Sequence, residues 1–160
     1  MNGQTEQQFF VLVADDSEND RWLLSLAMGR TARLRIVAEV TNGADVIAYL
    51  QGSGRFAQRE KFPLPDLLLL DLAMPVKNGF EVLTWLRRQP LPSLKVVVLT
   101  DSMNPEHIKR ALDLGADHFQ VKPASNGELE SMVFALEESM LKMIRPVLRR
   151  PHTDAVAGMT

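Results

Sequence analysis

The chain has 160 residues, of which 46% are hydrophobic and 24% charged, and its formal net charge is −2. This length suits one domain with a full core and is short for two. The charge gives no sign of a nucleic-acid-binding surface, and the absence of cysteine excludes disulfides, thiolate metal sites and cysteine nucleophiles. The apolar runs are too short to span a membrane, and residues 1–8 lack the features of a secretory signal. We therefore expect a cytoplasmic protein that contacts neither nucleic acid nor membrane directly.

Strand and helix signals alternate five times along the chain. Strands are predicted at residues 9–14, 33–40, 66–72, 95–99 and 117–121, and all but the short last one are rich in apolar residues. The residues of the second strand expected on one face are Leu34, Ile36, Ala38 and Val40. Alternating strands and helices predict an α/β fold with a parallel sheet between helices. Five such units fit the flavodoxin-like (βα)5 doubly wound sheet with strand order 2-1-3-4-5.

Cap signals predict where several helices begin and end. Ser17 is a predicted N-cap of the first helix, and Asn104 followed by Pro105 predicts the start of the fourth. A capping box opens the last helix at Ser125, and Pro146 is expected to stop or kink that helix. The apolar residues of the first helix with helical spacing, expected to pack inward, are Trp22, Leu23, Leu26 and Ala27.

The remaining stretches predict loops and tails. Residues 51–65 contain glycines, prolines and charges, which favour an exposed loop. No internal repeat and no second domain is visible. We expect one domain over residues 9–145, with flexible tails at residues 1–8 and 151–160.

Polar residues follow four of the predicted strands. Asp15 and Asp16 come after the first strand, Asp71 near the end of the third, Thr100 directly after the fourth and Lys122 after the fifth. In an open α/β sheet the ligand crevice lies outside the carboxyl ends of the strands. The predicted strand order makes these four strands neighbours. Three carboxylates, a hydroxyl and an ammonium are therefore expected at one edge of the sheet.

Three neighbouring carboxylates need either a proton or a cation among them. At about 4 Å and an effective dielectric of about 20, each ionised pair costs roughly 4 kcal/mol. Oxygen ligands with open positions favour Mg²⁺, which commonly accepts phosphate oxygens as ligands. Asp71 then has the properties of a nucleophile toward phosphorus, and Lys122 and Thr100 are positioned to bind phosphoryl oxygens.

Several stretches resemble the receiver domains of two-component response regulators. They are VLVADDSEND, LLLLDLAMPVKNGFEVL, VVVLTDSMNPEHIKRALDLGADHFQVKP and SNGEL, and the resemblance spans about residues 9–145. It implies that Asp71 accepts a phosphoryl group from a sensor histidine kinase or a phosphotransfer protein. It also implies that Asp16, Asp71 and the Ala73 carbonyl ligate Mg²⁺ directly, while Asp15 acts mainly through water.

The resemblance also implies a conformational switch. Thr100 and Lys122 would hold the phosphoryl oxygens, and Phe119 would turn inward when Thr100 moves. The surface of the fourth helix, fifth strand and fifth helix would then change for a partner or for a second copy of the chain. The Lys122–Pro123 peptide would be cis. The long 51–65 loop and the lack of an output domain are similar to single-domain receivers, including those paired with bacterial phytochrome kinases.

Two departures from the receiver pattern lie beside the predicted acceptor. Asp101 follows Thr100 where receivers usually carry a small residue, and Ala73 stands where many relatives have a polar side chain. Two alternatives therefore stay open. One is a phosphorylation-independent interaction module, which Asp101 alone favours. The other is a phosphatase that works through an aspartyl-phosphate, although haloacid-dehalogenase-like enzymes usually carry a second aspartate at the position of Ala73.

Overall fold

The computed structural model describes residues 7–148, with side chains described up to residue 143. Its strands are β1 (Phe9–Ala14), β2 (Leu34–Val40), β3 (Leu67–Leu70), β4 (Lys95–Thr100) and β5 (His118–Val121). Its helices are α1 (Glu18–Met28), α2 (Gly43–Gln51), α3 (Gly79–Arg88), α4 (Pro105–Asp113) and α5 (Asn126–Leu148). The strands pair in parallel in the order β2-β1-β3-β4-β5, which confirms the predicted flavodoxin-like sheet.

The sheet separates two apolar layers. Leu12 and Ala14 of β1 face the layer formed with α2, α3 and α4, whereas Val11 and Val13 face the layer formed with α1 and α5. All four residues of β3 are buried because the sheet is covered on both faces. Because helices cover both faces of the sheet, the carboxyl ends of the central strands are bordered by the loops that follow them.

The predicted helix starts are confirmed by side-chain caps. Ser17 Oγ accepts a hydrogen bond from the backbone N–H of Asp20, and Asn104 Oδ1 accepts one from that of Glu106. Ser125 Oγ accepts from the Glu128 N–H. Each cap satisfies one of the backbone donors that a helix leaves unpaired in its first turn. All three caps, at the starts of α1, α4 and α5, follow strand ends that carry predicted site residues.

The predicted single face of β2 is wrong because the strand contains a bulge. Val11 pairs with Ile36, but the next residue of β1, Leu12, pairs with Ala38, so Val37 is an extra residue. An extra residue shifts the alternation of side chains by one. Consequently Ile36 packs in the layer of α1 and α5, while Ala38 packs in the layer of α2, α3 and α4.

The inward face of α1 also differs from the prediction. Trp22 is 58% exposed and Leu26 is 51% exposed, whereas Leu24, Ala27 and Met28 are buried. The buried residues have the spacing i, i+3, i+4 of a helix face that packs on a sheet. Of the predicted inward residues, Ala27 is buried and Leu23 packs partly against this layer.

Residues 51–65 are mostly exposed, as predicted, but aromatic side chains anchor the segment on the core. Phe56 is buried, and its ring lies 5.1 Å from that of Tyr49 and 5.3 Å from that of Phe62. The Tyr49 hydroxyl donates a hydrogen bond of 2.8 Å to the Pro63 carbonyl. The two phenylalanines provide apolar contacts that the surrounding prolines, glycines and charges obscure in the sequence.

Arg59 ties this segment to the end of α2, and its replacement is expected to be costly. Its guanidinium donates to the carbonyls of Tyr49 at 2.8 Å, Leu50 at 2.7 Å and Phe62 at 3.3 Å. We expect Arg59→Met to lower the free energy of unfolding by about 2–3 kcal/mol, because these three carbonyls lose their charge-assisted hydrogen bonds. The control is Arg55→Met in the same segment, since Arg55 is exposed and forms a surface ion pair, for which at most about 1 kcal/mol is expected. Urea unfolding of both variants measures the difference, and equal losses would contradict this role.

The last helix extends further than predicted. α5 continues to Leu148, so it does not stop at Pro146. A proline near a helix end removes one backbone donor but leaves the preceding hydrogen bonds in place. Of the predicted tails, residues 1–6 and 151–160 lie outside the described residues. Within residues 7–148, no helix is long and apolar enough to cross a membrane.

Candidate functional site

Three carboxylates meet at the carboxyl ends of β1 and β3. One oxygen from each of Asp15, Asp16 and Asp71 can be chosen so that all lie within 4.8 Å of one another. Asp15 and Asp71 are buried, with exposed fractions of 2% and 5%, while Asp16 is exposed. The sheet itself positions this group, because the Asp71 N–H donates to the Ala14 carbonyl and continues the pairing of β1 with β3.

Backbone donors hold the two buried carboxylates in place. Asp15 Oδ1 accepts a hydrogen bond of 2.9 Å from the Ser17 N–H, and Asp71 Oδ1 accepts one of 3.2 Å from the Ala73 N–H. In each residue the other oxygen, Oδ2, faces the ammonium of Lys122. The two carboxylates therefore have defined orientations before any ligand binds.

Lys122 brings a positive charge to this cluster from the end of β5. Its backbone N–H donates to the Thr100 carbonyl at 2.8 Å, which fixes the residue beside β4. Its Nζ lies 2.9 Å from Asp15 Oδ2 and 3.2 Å from Asp71 Oδ2. The Lys122 side chain is only 11% exposed, so its ammonium lies inside the site rather than in solvent. The peptide between Lys122 and Pro123 is trans, not cis as the resemblance implied.

Burial changes the acid–base properties of Asp71 and Lys122. Desolvation raises the pKa of Asp71 to about 6, with a further increase from the Asp15 charge and an opposing decrease from Lys122. Burial by itself would lower the pKa of Lys122, but hydrogen bonds to Asp20 and Asp15 outweigh it and raise this pKa. A negative charge on Asp71 is thus unfavourable in the metal-free site, even with the lysine present.

Thr100 ends β4 beside Lys122, whereas Phe119 lies within β5. Thr100 is 2% exposed, and its hydroxyl accepts a hydrogen bond of 3.3 Å from the Ser102 N–H. Phe119, paired with Val98 in the sheet, is half-buried and packs against the layer of α2, α3 and α4. Thr100 therefore lies at the end of the fourth strand and Phe119 lies within the fifth, as the sequence predicted.

Asp20 and Arg21 belong to the site, although the sequence reasoning did not single them out. Asp20 Oδ2 lies 2.7 Å from Lys122 Nζ, and Arg21 Nη1 donates at 2.8 Å to the Asp15 carbonyl. The available signal was their place in the first turn of α1. A helix that begins at Ser17 directs its first turn toward the strand ends that precede it.

Asp101, the departure beside Thr100, reaches the edge of the site. Its side chain is 86% exposed, and its Oδ2 lies 3.8 Å from Lys122 Nζ. Of the four carboxylates within 4.0 Å of this ammonium among the described residues, Asp101 is the most distant and the most exposed.

The site has the donor set of a hard divalent cation. Three carboxylates contribute three negative charges, and Lys122 offsets only one of them among its several partners. All three candidate ligands are oxygens, and the exposed Asp16 leaves one side accessible. These properties suit an ion that keeps part of its water shell and accepts phosphate oxygens.

Comparison with protein families identifies most of the chain. The model of the family described as "Response regulator receiver domain" matches residues 11–134. The response regulator Rcp1 of Synechocystis sp. is 28% identical over 145 residues, which cover 90% of this chain and 97% of that protein.

Solved structures give the same result. The phosphorylated cyanobacterial phytochrome response regulator RcpA has a TM-score of 0.74 and 30% identity, with 85% of this chain and 96% of RcpA covered. The response regulator RPA3017, from red light signalling of R. palustris, has a TM-score of 0.70 and 34% identity over 79% of this chain and 90% of its own. The Mn²⁺-bound form of Rcp1 has a TM-score of 0.69 and 30% identity over 81% of this chain and 91% of its own.

Proposed function

Because the chain belongs to the response regulator receiver domain family, we propose that it is a signalling protein switched by phosphorylation of Asp71. A receiver domain is a phosphoacceptor module rather than a classical enzyme, and it implies a cognate histidine kinase. The observation that carries the proposal is the buried Asp71 carboxylate between an acidic pair and the Lys122 ammonium. The relative RcpA, which has been described in a phosphorylated form, supports it.

The proposed reaction moves one phosphoryl group onto this carboxylate. An Asp71 oxygen forms a bond to phosphorus while the P–N bond of a phosphohistidine breaks, and the imidazole nitrogen keeps the electron pair. Asp71 Oδ1 is held by the Ala73 N–H, whereas Oδ2 faces Lys122. Lys122 then shifts its hydrogen bond from Asp71 to a phosphoryl oxygen, and the Thr100 hydroxyl donates another.

We propose Mg²⁺ as the cofactor, held by Asp16, Asp71 and the Ala73 carbonyl, with Asp15 acting mainly through water. When bound, the ion neutralises the charge that develops on the phosphoryl oxygens. The acidic group at the strand ends supports a divalent metal, and a Mn²⁺-bound form of Rcp1 is known.

The proposed switch passes from Thr100 to Phe119. When the hydroxyl of Thr100 moves toward the phosphoryl group, the Ser102 N–H loses its acceptor, and Phe119 turns into the space that is vacated. This is a local charge event that biases a two-state element. The face that would change for a partner or a second copy of the chain includes His107, Lys109, Arg110, His118 and Gln120. His107 and Gln120 are half-buried in this state, and the other three are exposed.

Intact mass spectrometry with acetyl phosphate and Mg²⁺ tests the acceptor. We expect wild-type protein to gain one phosphoryl group, and we expect no gain in Asp71→Asn or in the presence of a chelator. The matched control is Asp66→Asn, since Asp66 lies at the opposite end of β3, where its side chain accepts a hydrogen bond from the Phe10 N–H.

The control outcomes separate the proposal from its alternative. A gain in Asp71→Asn would move the acceptor elsewhere. No gain in wild type, together with no Mg²⁺ binding in the millimolar range, would favour a phosphorylation-independent interaction module.

A further inference from the structure

The ammonium of Lys122 has three protons and three close carboxylate partners. Its Nζ lies 2.7 Å from Asp20 Oδ2, 2.9 Å from Asp15 Oδ2 and 3.2 Å from Asp71 Oδ2. The shortest of these contacts is with Asp20, which comes from α1 rather than from a strand end. Asp15 and Asp71 belong to the group that can hold a metal ion, and Asp20 does not.

This difference matters once the site is loaded. A divalent cation among Asp15, Asp16 and Asp71 neutralises two of the three partners of Lys122 and repels its ammonium. Phosphorylation then changes the third partner, because an Asp71 oxygen becomes part of the acyl phosphate. Asp20 is the close carboxylate that keeps its full charge throughout.

The structure holds the Asp20 carboxylate in a fixed position for this task. Its backbone N–H donates to Oγ of the N-cap residue Ser17, which fixes the backbone of Asp20 in the first turn of α1. Its side chain is 32% exposed, so the carboxylate is partly in contact with solvent. A negative charge in the first turn of a helix is also favoured by the helix dipole.

We infer that Asp20 is a positioning residue that keeps the Lys122 ammonium at the acceptor after the metal and the phosphoryl group have occupied its other two partners. The inference rests on the proposed function for its role in phosphorylation. The contact of Asp20 with the Lys122 ammonium can be tested whether or not Asp71 is phosphorylated.

The experiment compares three variants of the full chain. Asp20→Asn removes the charge that faces Lys122, Asp20→Glu restores it on a longer side chain, and Glu18→Gln removes the same charge from the same helix turn. Glu18 is exposed and forms no ion pair within 4.0 Å in the described part of the chain. The readouts are the rate of phosphorylation at saturating acetyl phosphate and Mg²⁺, the Mg²⁺ affinity, and the ¹H–¹⁵N signal of the Lys122 ammonium in the Mg²⁺-loaded protein.

We expect Asp20→Asn to lower the phosphorylation rate roughly tenfold, as for the loss of one charge-assisted hydrogen bond. Its Mg²⁺ affinity should stay within about threefold of that of Glu18→Gln. The Lys122 ammonium signal should be protected from exchange in wild type, lost in Asp20→Asn and partly recovered in Asp20→Glu.

Two results would overturn the inference. One is an ammonium signal in Asp20→Asn that matches Glu18→Gln, and the other is a rate loss fully explained by weaker Mg²⁺ binding. If wild type itself is not phosphorylated, the proposed function fails, and the ammonium signal still decides whether Asp20 positions Lys122.

Discussion

At pH 7.5 and without divalent metal, Asp71→Asn is expected to unfold with a free energy up to about 3 kcal/mol higher than that of wild type. Burial raises the pKa of Asp71 from 3.8 to about 6, so its ionised form destabilises the fold. Asparagine fills the same space without the charge. Lys122 keeps its contacts with Asp15 and Asp20 in this variant.

The pH dependence of this difference follows from the sign of the shift. A carboxyl group with a raised pKa in the folded state contributes stability that is complete below its unfolded pKa of 3.8. That contribution is lost as the pH rises through the folded value of about 6. The variant and wild type should therefore have similar stability near pH 4, and the gap should open between pH 4 and 7.

Urea unfolding across this pH range measures the gap, and added Mg²⁺ provides a second test. Mg²⁺ should stabilise wild type and close the gap, because the cation compensates the buried charge, while Asp71→Asn should respond weakly. Asp113→Asn, an exposed change at the end of α4, is the control, with an expected effect within about 0.5 kcal/mol at every pH. A pH-independent gap would show that Asp71 carries no excess charge energy.

The grouping of Asp15, Asp71 and Lys122 was predictable because strand signals and helix-cap signals agree on where each strand ends. Asp15 and Asp71 each follow a continuous apolar run, Lys122 follows the short β5, and a parallel sheet gathers such ends at one edge. The capping residues Ser17 and Asn104 then mark where the chain turns back into a helix. These signals are local, so they survive without any knowledge of tertiary contacts.

The errors occur where tertiary packing decides. The β2 bulge adds Val37, and no local pattern marks the residue at which the alternation shifts. In α1, Trp22 and Leu26 are large apolar residues that favour the wrong face, because the helix buries Leu24 and Ala27 instead. Hydrophobic periodicity gives a helix face only when most of its large residues are inside.

Asp20 illustrates a further limit of reading residues from strand ends alone. Its ion pair with Lys122 joins residues that are 102 positions apart. The helical position of Asp20 is predictable from the Ser17 cap, but the direction of the Lys122 side chain is not. Ionic contacts of this kind depend on side-chain geometry across two elements, which sequence patterns do not encode.

Gly79→Ala is expected to lower the free energy of unfolding by roughly 2–4 kcal/mol and to impair phosphorylation of the folded protein. A Cβ at this position would lie 2.6 Å from the Asp71 carbonyl oxygen and 2.8 Å from Leu72 Cα. Both neighbours are backbone atoms, so neither can move aside as a flexible side chain would. The Gly79 N–H also donates to the Leu72 carbonyl, which fixes the start of α3 against the residue that follows Asp71.

Gly127→Ala is the matched control, because Gly127 also lies in the first turn of a helix, but a Cβ at this position would point into open space. Alanine there should leave the stability unchanged or raise it by up to about 1 kcal/mol through helix propensity. Urea unfolding and acetyl phosphate labelling of both variants give the comparison. Equal stability and equal labelling of the two variants would mean that the backbone beside Asp71 can shift at little cost in free energy. A loss confined to Gly79→Ala would show that the close approach of α3 holds the acceptor in position.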